Sequence, residues 1–160
     1  MIQKHAASGT ATAPAPARGR TVATSASPAE RRSDVTPFAT KNDLPADTRT
    51  RVVELLNARL ADCIDLQTQC KQAHWNVKGP AFISLHKLFD DVNEAVEEYV
   101  DLLAERVVQL GGLARGTARM VAAGTSLEEY PAVSHGQAHV DALSSALARF
   151  GSGVRKAIDQ

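Results

Sequence analysis

Six polar residues in segment 82–110 could act together on a metal, because they share one face of a predicted helix: His86, Asp90, Glu94, Glu97, Asp101 and Glu105. Their spacings of four, four, three, four and four residues follow the α-helical period. One histidine with several carboxylates suits a hard or borderline metal such as iron. The alternative is a solvated helix face. Only Lys87 and Arg106 are basic in this segment, so few ion pairs compensate the carboxylates, which favours the metal hypothesis.

The two ends of this stripe cannot serve one metal within one chain. Asp90 and Asp101 are 11 residues apart, which is roughly 16 Å along a helix axis. Both this pair and the pair His86 and Glu105 are centred between residues 95 and 96. A second copy crossing antiparallel at this midpoint, where Ala95 is small, would bring the histidine end of one chain to the carboxylate end of the other. Twofold symmetry would then create two shared sites.

Apolar periodicity predicts an all-α chain with three long helices and one short helix. The long helices are expected at about 46–75, 82–110 and 134–160. The short helix is expected at 126–130, with Ser126 as its N-cap. The second long helix is expected to bury one stripe of apolar residues: Leu85, Leu88, Phe89, Val92, Val96, Val100, Leu103 and Val107.

Glycines mark the ends of these elements. Gly79 lies in a tight turn after the first helix, and Gly111 and Gly112 terminate the second. Gly151 and Gly153 are expected to weaken the third long helix. The sequence contains no Glu-x-x-His, which is the ligand spacing of di-iron sites inside one helical bundle. This absence also directs a metal site to an interface between chains.

Composition is consistent with one helical domain. The 160 residues are 44% hydrophobic but only 4% aromatic, so Leu, Val and Ala would form the core. The net charge of zero hides an asymmetry, because residues 1–42 carry +4 and the remainder −4. No apolar run reaches the length of a membrane span, and the N-terminus lacks the apolar region of a Sec signal peptide.

The two cysteines are not expected to form a disulfide with each other. Cys63 and Cys70 are seven residues apart in one predicted helix, or roughly 10 Å, which is too far for a bond. They are interpreted as small buried residues of a protein in a reducing compartment.

Four segments resemble the Dps family, the miniferritins named as DNA-binding proteins from starved cells: KQAHWNVKG (71–79), LHKLFD (85–90), DLLAER (101–106) and QLGG (109–112). The resemblance covers about residues 44–160. It implies a ferritin-like helical bundle, a hollow cage of twelve subunits, and ferroxidase sites shared across a twofold interface. Its characteristic reaction is oxidation of Fe²⁺ by hydrogen peroxide, with storage of ferric iron in the cavity.

The family's iron ligands correspond to His74, His86 and Asp90 from one chain and to Asp101 and Glu105 from its neighbour. The resemblance thus adds His74 to the residues identified from spacing. It also places Trp75 where the family has a tryptophan near the site. Trp75 is a candidate electron donor, and the alternative is a packing role.

The basic N-terminal segment is the candidate DNA-binding element, since many family members bind DNA through a flexible basic tail. Residues 1–43 are predicted to be a disordered arm before the Dps domain of residues 44–160. The arm's basic residues could neutralise phosphates without reading sequence: Lys4, Arg18, Arg20, Arg31, Arg32 and Lys41. The alternatives are a solubilising linker and an organelle transit peptide.

The resemblance also implies a fourth long helix, which is expected to be missing after Gln160. The domain is therefore interpreted as C-terminally incomplete, with cage formation the property most affected. The main hypothesis is a cytoplasmic, nucleoid-associated ferroxidase and iron store that protects DNA. The competing hypotheses are a non-catalytic DNA-binding structural protein and a truncated helical fragment.

Overall fold

The computed structural model describes residues 38–160. Four helices follow one another in this part of the chain: α1 (Ala46–Asn76), α2 (Phe82–Gln109), α3 (Ala118–Gly124) and α4 (Gly136–Ile158). The described residues form no β-strand, only an isolated bridge between Lys78 and His135. The predicted all-α chain with three long helices and one short helix is therefore confirmed. No described helix is long and apolar enough to cross a membrane.

The long helices α1 and α2 form an antiparallel hairpin, and α4 packs against it mainly along α1. The core comprises three clusters. Near the turn lie Cys70, Ala73, Val77, Phe89 and Leu143. In the middle lie Cys63, Leu66, Val96 and Leu127. At the far end lie Val53, Val107 and Leu110. Leu88, predicted to be buried, is 47% exposed, because it lies about 100° around the helix from the buried Phe89.

Both cysteines are buried and unpaired, as predicted from the sequence. Burial raises the pKa of the Cys63 thiol to about 12 and that of the Cys70 thiol to about 11. The Cys63 thiol also points at the backbone oxygen of Val96, 3.7 Å away. Both residues therefore act as small apolar core residues in the folded subunit.

The predicted short helix at 126–130 was wrong, because the short helix lies at Ala118–Gly124. Ser126 caps no helix. Its backbone N–H and its hydroxyl donate to the two carboxylate oxygens of Asp62, at 2.6 and 3.1 Å. Asp62 is fully buried on α1, so this long-range anchor satisfies a buried charge and outweighs the local capping pattern.

Two further buried polar side chains of α1 hold the long connection between α2 and α4. The side-chain amide of Asn57 donates to the Leu113 carbonyl and its oxygen accepts from the Arg115 N–H. The Gln69 amide donates to the Glu128 carbonyl at 3.0 Å. Because these groups are buried, the connection has a defined path along α1.

Helix α2 ends just before a glycine, Gly111, and the segment before α1 forms hydrogen bonds with this end. Gly111 has φ +84°, and an added Cβ would lie 2.6 Å from the Phe38 carbonyl oxygen. The Phe38 N–H donates to the Gly111 carbonyl at 2.7 Å, and the Thr40 hydroxyl donates to the Gln109 carbonyl at 3.1 Å. Part of segment 38–43, assigned from the sequence to the arm, is thus hydrogen-bonded to the domain. The rest of the predicted arm lies outside the described residues.

The glycines of α4 have unequal surroundings. Arg59 of α1 passes next to Gly153, where an added Cβ would lie only 2.0 Å from its Nη1. The same guanidinium pairs with the buried Asp62 carboxylate at 3.0 Å. At Gly151 an added Cβ would meet only the end of Arg155, at 3.4 Å. The close approach of Arg59 therefore explains why residue 153 is a glycine, and no such contact explains the glycine at 151.

Candidate metal centre

The histidine end of the candidate site lies where α1 and α2 meet. His74 is in the last turn of α1, and His86 and Asp90 are in the first turns of α2. Gly79 forms the turn between them with φ +113°, a conformation that residues with a Cβ rarely adopt. This short antiparallel connection brings residues 12 positions apart in sequence into direct contact.

The two histidine rings hold each other in a defined orientation. Their ring centroids are 3.6 Å apart and the planes differ by 23°. Nδ1 of His74 lies 2.9 Å from the His86 carbonyl, and Nδ1 of His86 lies 2.9 Å from the His74 carbonyl. A carbonyl only accepts, so each neutral ring carries its proton on Nδ1 and keeps the Nε2 lone pair free. This is the arrangement in which Nε2 can bind a metal.

Asp90 completes the histidine end with an ionised carboxylate. Its Oδ1 accepts a short hydrogen bond from the Lys71 ammonium and lies 3.8 Å from Nδ1 of His74. The hydrogen bond from Lys71 is the main cause that lowers the pKa of Asp90, and the nearby charge of Lys71 adds to it. Lys71 was missed from the sequence, although it precedes His74 by three residues and so shares its helix face.

The carboxylate end lies apart from the histidine end. Asp101 and Glu105 are exposed residues farther along α2. Within the described residues of one chain, no group of three or more histidine, cysteine, aspartate or glutamate side chains is arranged to hold a metal ion. One subunit thus presents two separate half sets, His74–His86–Asp90 and Asp101–Glu105, rather than one centre.

Large apolar side chains are exposed on the carboxylate half of α2. Tyr99 is 57% exposed and Leu102 is 61% exposed, while Asp101 and Glu105 lie among them and Ala95 is exposed nearby. Mixed charged and apolar surface of this kind is typical of an interaction face.

Trp75 lies on the surface of the subunit, next to His74. Its side chain is 69% exposed and forms part of the wall of a groove of about 940 Å³ between α1 and the connection that follows α2. It has no core packing role within the described residues of one chain.

Among the candidate DNA-binding residues, Lys41 is exposed. Lys4, Arg18, Arg20, Arg31 and Arg32 lie outside the described residues.

Comparison with known proteins identifies the family of this chain. The model of the ferritin-like domain family matches residues 53–159. The DNA protection during starvation protein of Agrobacterium fabrum is 45% identical over 121 residues, which are 75% of either chain. The chain belongs to the Dps family of ferritin-like proteins.

Solved Dps structures share the fold of this chain. DpsA14 from Streptomyces coelicolor has a TM-score of 0.74 at 32% identity, over 79% of this chain and 76% of its own. Dps from Microbacterium arborescens, in its high iron form, has a TM-score of 0.65 at 30% identity, over 75% and 77%. Membership of the Dps family therefore extends from sequence to the three-dimensional arrangement of the described helices.

Proposed function

We propose that this protein oxidises Fe²⁺ with hydrogen peroxide and stores the ferric product, using sites shared by two subunits. The observation that carries this proposal is the division of the ligand set into two half sets on one chain. The histidine half has both Nε2 atoms free and an ionised Asp90. The carboxylate half consists of the exposed Asp101 and Glu105. The high iron form of a related Dps supports iron as the metal.

An antiparallel pair of α2 helices would combine the two halves. Residues 86 and 105, like residues 90 and 101, are centred between Ala95 and Val96, so a twofold axis there would create two equivalent sites. Exposed Ala95 leaves room for close approach, and the exposed Tyr99 and Leu102 would be covered by the partner. Each site would then hold two imidazoles and three carboxylates.

This ligand set fits the chemistry of iron oxidation. Carboxylates bind both Fe²⁺ and Fe³⁺ as hard donors, and neutral imidazole adds affinity for Fe²⁺. Two Fe²⁺ ions each give up one electron, the O–O bond of hydrogen peroxide breaks, and uptake of two protons yields two waters and two Fe³⁺. Trp75, exposed beside His74, is proposed as a donor of an electron when only one Fe²⁺ is bound.

A mixing experiment tests the shared site. The variant His86→Ala lacks the histidine half, and the double variant Asp101→Asn with Glu105→Gln lacks the carboxylate half. Each alone should lose fast peroxide-dependent Fe²⁺ oxidation. When the two variants are assembled together in equal amounts, random pairing makes about half of the dimers mixed. One of the two sites in each mixed dimer is intact, so about a quarter of the wild-type sites should return.

Glu94→Gln is the matched control, because Glu94 is an exposed carboxylate on the same stripe but outside the five ligands. It should oxidise iron at the wild-type rate. Full activity of either inactivated variant alone, or no recovery on co-assembly, would reject the shared site.

We also propose that the basic N-terminal segment binds DNA without sequence preference. Residues 1–42 carry a net charge of +4, and several copies on one assembly would bind multivalently. Deletion of residues 1–37, which keeps the hydrogen bonds of Phe38 and Thr40 to the end of α2, should abolish the gel shift of duplex DNA at low salt while Fe²⁺ oxidation is retained. Salt-sensitive binding that survives the deletion would assign DNA binding to the helical domain instead.

A further inference from the structure

A buried polar pair lies behind the histidine end of the candidate site. His139, in the first turns of α4, is completely buried, and its Nδ1 lies 2.7 Å from the hydroxyl of Tyr130. Its ring also packs near Phe89, with ring centroids 6.1 Å apart. The second ring nitrogen, Nε2, is buried and has no hydrogen-bond partner among the described residues. The Asn76 backbone raises the pKa of the ring, against the larger effect of burial.

The protonation states of this pair follow from its surroundings. Burial raises the pKa of Tyr130 to about 12, so its hydroxyl keeps its proton and donates to Nδ1. Burial lowers the pKa of His139, so the ring is neutral and its remaining proton lies on Nε2. The neighbouring groups are uncharged: Cys70 from α1, whose pKa is raised to about 11, and Phe89 from α2.

The pair connects three elements next to the candidate ligands. Asn76 is the last residue of α1, two residues after His74. Phe89, whose ring lies 6.1 Å from the His139 ring between centroids, directly precedes Asp90. The same end of α1 is also tied to α4 through the Lys78 N–H, which donates to the Ser134 carbonyl at 2.9 Å.

We propose that His139 and Tyr130 are positioning residues for the metal site. Their hydrogen bond joins α4 to the connection before it, and the pair packs against the core cluster that contains Ala73, beside His74, and Phe89, beside Asp90. The pair touches no reacting atom. It acts through the packing of Tyr130 against this cluster at the end of α1 and through the Phe89 ring. This inference rests on the proposed iron chemistry, and it adds residues of α4 and of the preceding connection to a site otherwise built on α1 and α2.

Three variants separate hydrogen bonding from packing. Tyr130→Phe removes only the hydroxyl, and His139→Leu removes both ring nitrogens. His139→Gln keeps an acceptor for the Tyr130 hydroxyl. Val107→Ala is the control for general destabilisation, because Val107 is fully buried at the opposite end of the hairpin. Each full-length protein is titrated with Co²⁺ alone, and amide hydrogen exchange of peptide 74–80 is measured without metal.

Tyr130→Phe and His139→Leu should weaken Co²⁺ binding by about tenfold and accelerate exchange in peptide 74–80. His139→Gln should stay within about twofold of wild type, and Val107→Ala should change neither measurement. Wild-type Co²⁺ affinity in His139→Leu would overturn the proposal, as would equal losses in His139→Gln and His139→Leu. If the wild-type protein binds no Co²⁺ and oxidises no Fe²⁺, the proposed function itself fails, whereas a metal-binding wild type with unaffected variants refutes only the positioning role.

Discussion

Lys71 occupies the carboxylate that the proposed iron site needs, so its removal should strengthen metal binding. The ammonium of Lys71 donates to Oδ1 of Asp90, and the two side chains are 35% and 38% exposed. For Asp90 to bind Fe²⁺, this ion pair must open or share its oxygen. Lys71→Met keeps an unbranched apolar stem and removes the charge. The variant thus removes a competitor for Asp90 with little loss of packing.

The size of the effect follows from the exposure of the pair. An ion pair with this much solvent access is weak. Its loss should therefore lower the dissociation constant for the metal by only about 1.4- to 5-fold. Loss of repulsion between the ammonium and the divalent cation acts in the same direction.

Co²⁺ titration of the wild-type and variant proteins at neutral pH measures this change. Lys87→Met is the matched control, because Lys87 is an exposed lysine adjacent to His86 and reports the general effect of losing one positive charge. Weaker binding by Lys71→Met would refute competition and indicate that the lysine holds Asp90 in its binding position. An equal gain of Co²⁺ affinity in Lys87→Met would show that the effect comes from the loss of one positive charge rather than from release of Asp90.

Two further predictions concern stability, each measured as unfolding at fixed protein concentration. Gly151→Ala should stabilise α4 by about 0.5–1 kcal/mol, whereas Gly153→Ala displaces Arg59 from the buried Asp62 and should cost about 2–4 kcal/mol net. Equal effects of the two substitutions would show that the ion pair between Arg59 and Asp62 can break at no cost in stability. The lowered pKa of His139 means that the unfolded chain binds its proton first, so stability should fall as pH drops below about 6.5, by at most about 1.4 kcal/mol per pH unit. His139→Gln should remove this component, and an unchanged pH dependence would contradict the assignment of a neutral buried ring.

The long helices could be predicted from sequence because their determinants are local. Apolar periodicity placed α1 and α2, and the glycines at 79 and at 111–112 fixed their ends to within a residue or two. The short helix could not be predicted in this way. Ser126 has a local capping pattern, but its hydrogen bonds go to Asp62, 64 residues earlier in the chain. A buried carboxylate on another helix is invisible to a local pattern.

The candidate site was likewise predictable where it depends on spacing within one helix, and not where it depends on contacts between helices. Spacing alone identified the α2 residues, because residues three and four positions apart share a helix face. His74 is on another helix and entered only through the family resemblance. The orientation of the two imidazoles depends on backbone carbonyls that approach across the hairpin. The contacts of Lys71 and His139 likewise join different elements, so no periodicity in one helix could have revealed them.

Charge explains why such a site suits an interface better than a single subunit. In the separate chain, Asp90 is neutralised by Lys71, while Asp101 and Glu105 are exposed to water, so neither half set bears the cost of a buried uncompensated charge. Association of two chains would gather three carboxylates and remove water from them. The proposed divalent cations would then supply the compensating charge, so metal binding and association of the two subunits would reinforce each other. On the proposed mechanism, the two half sets of one hairpin are stable before assembly and would become reactive only after it.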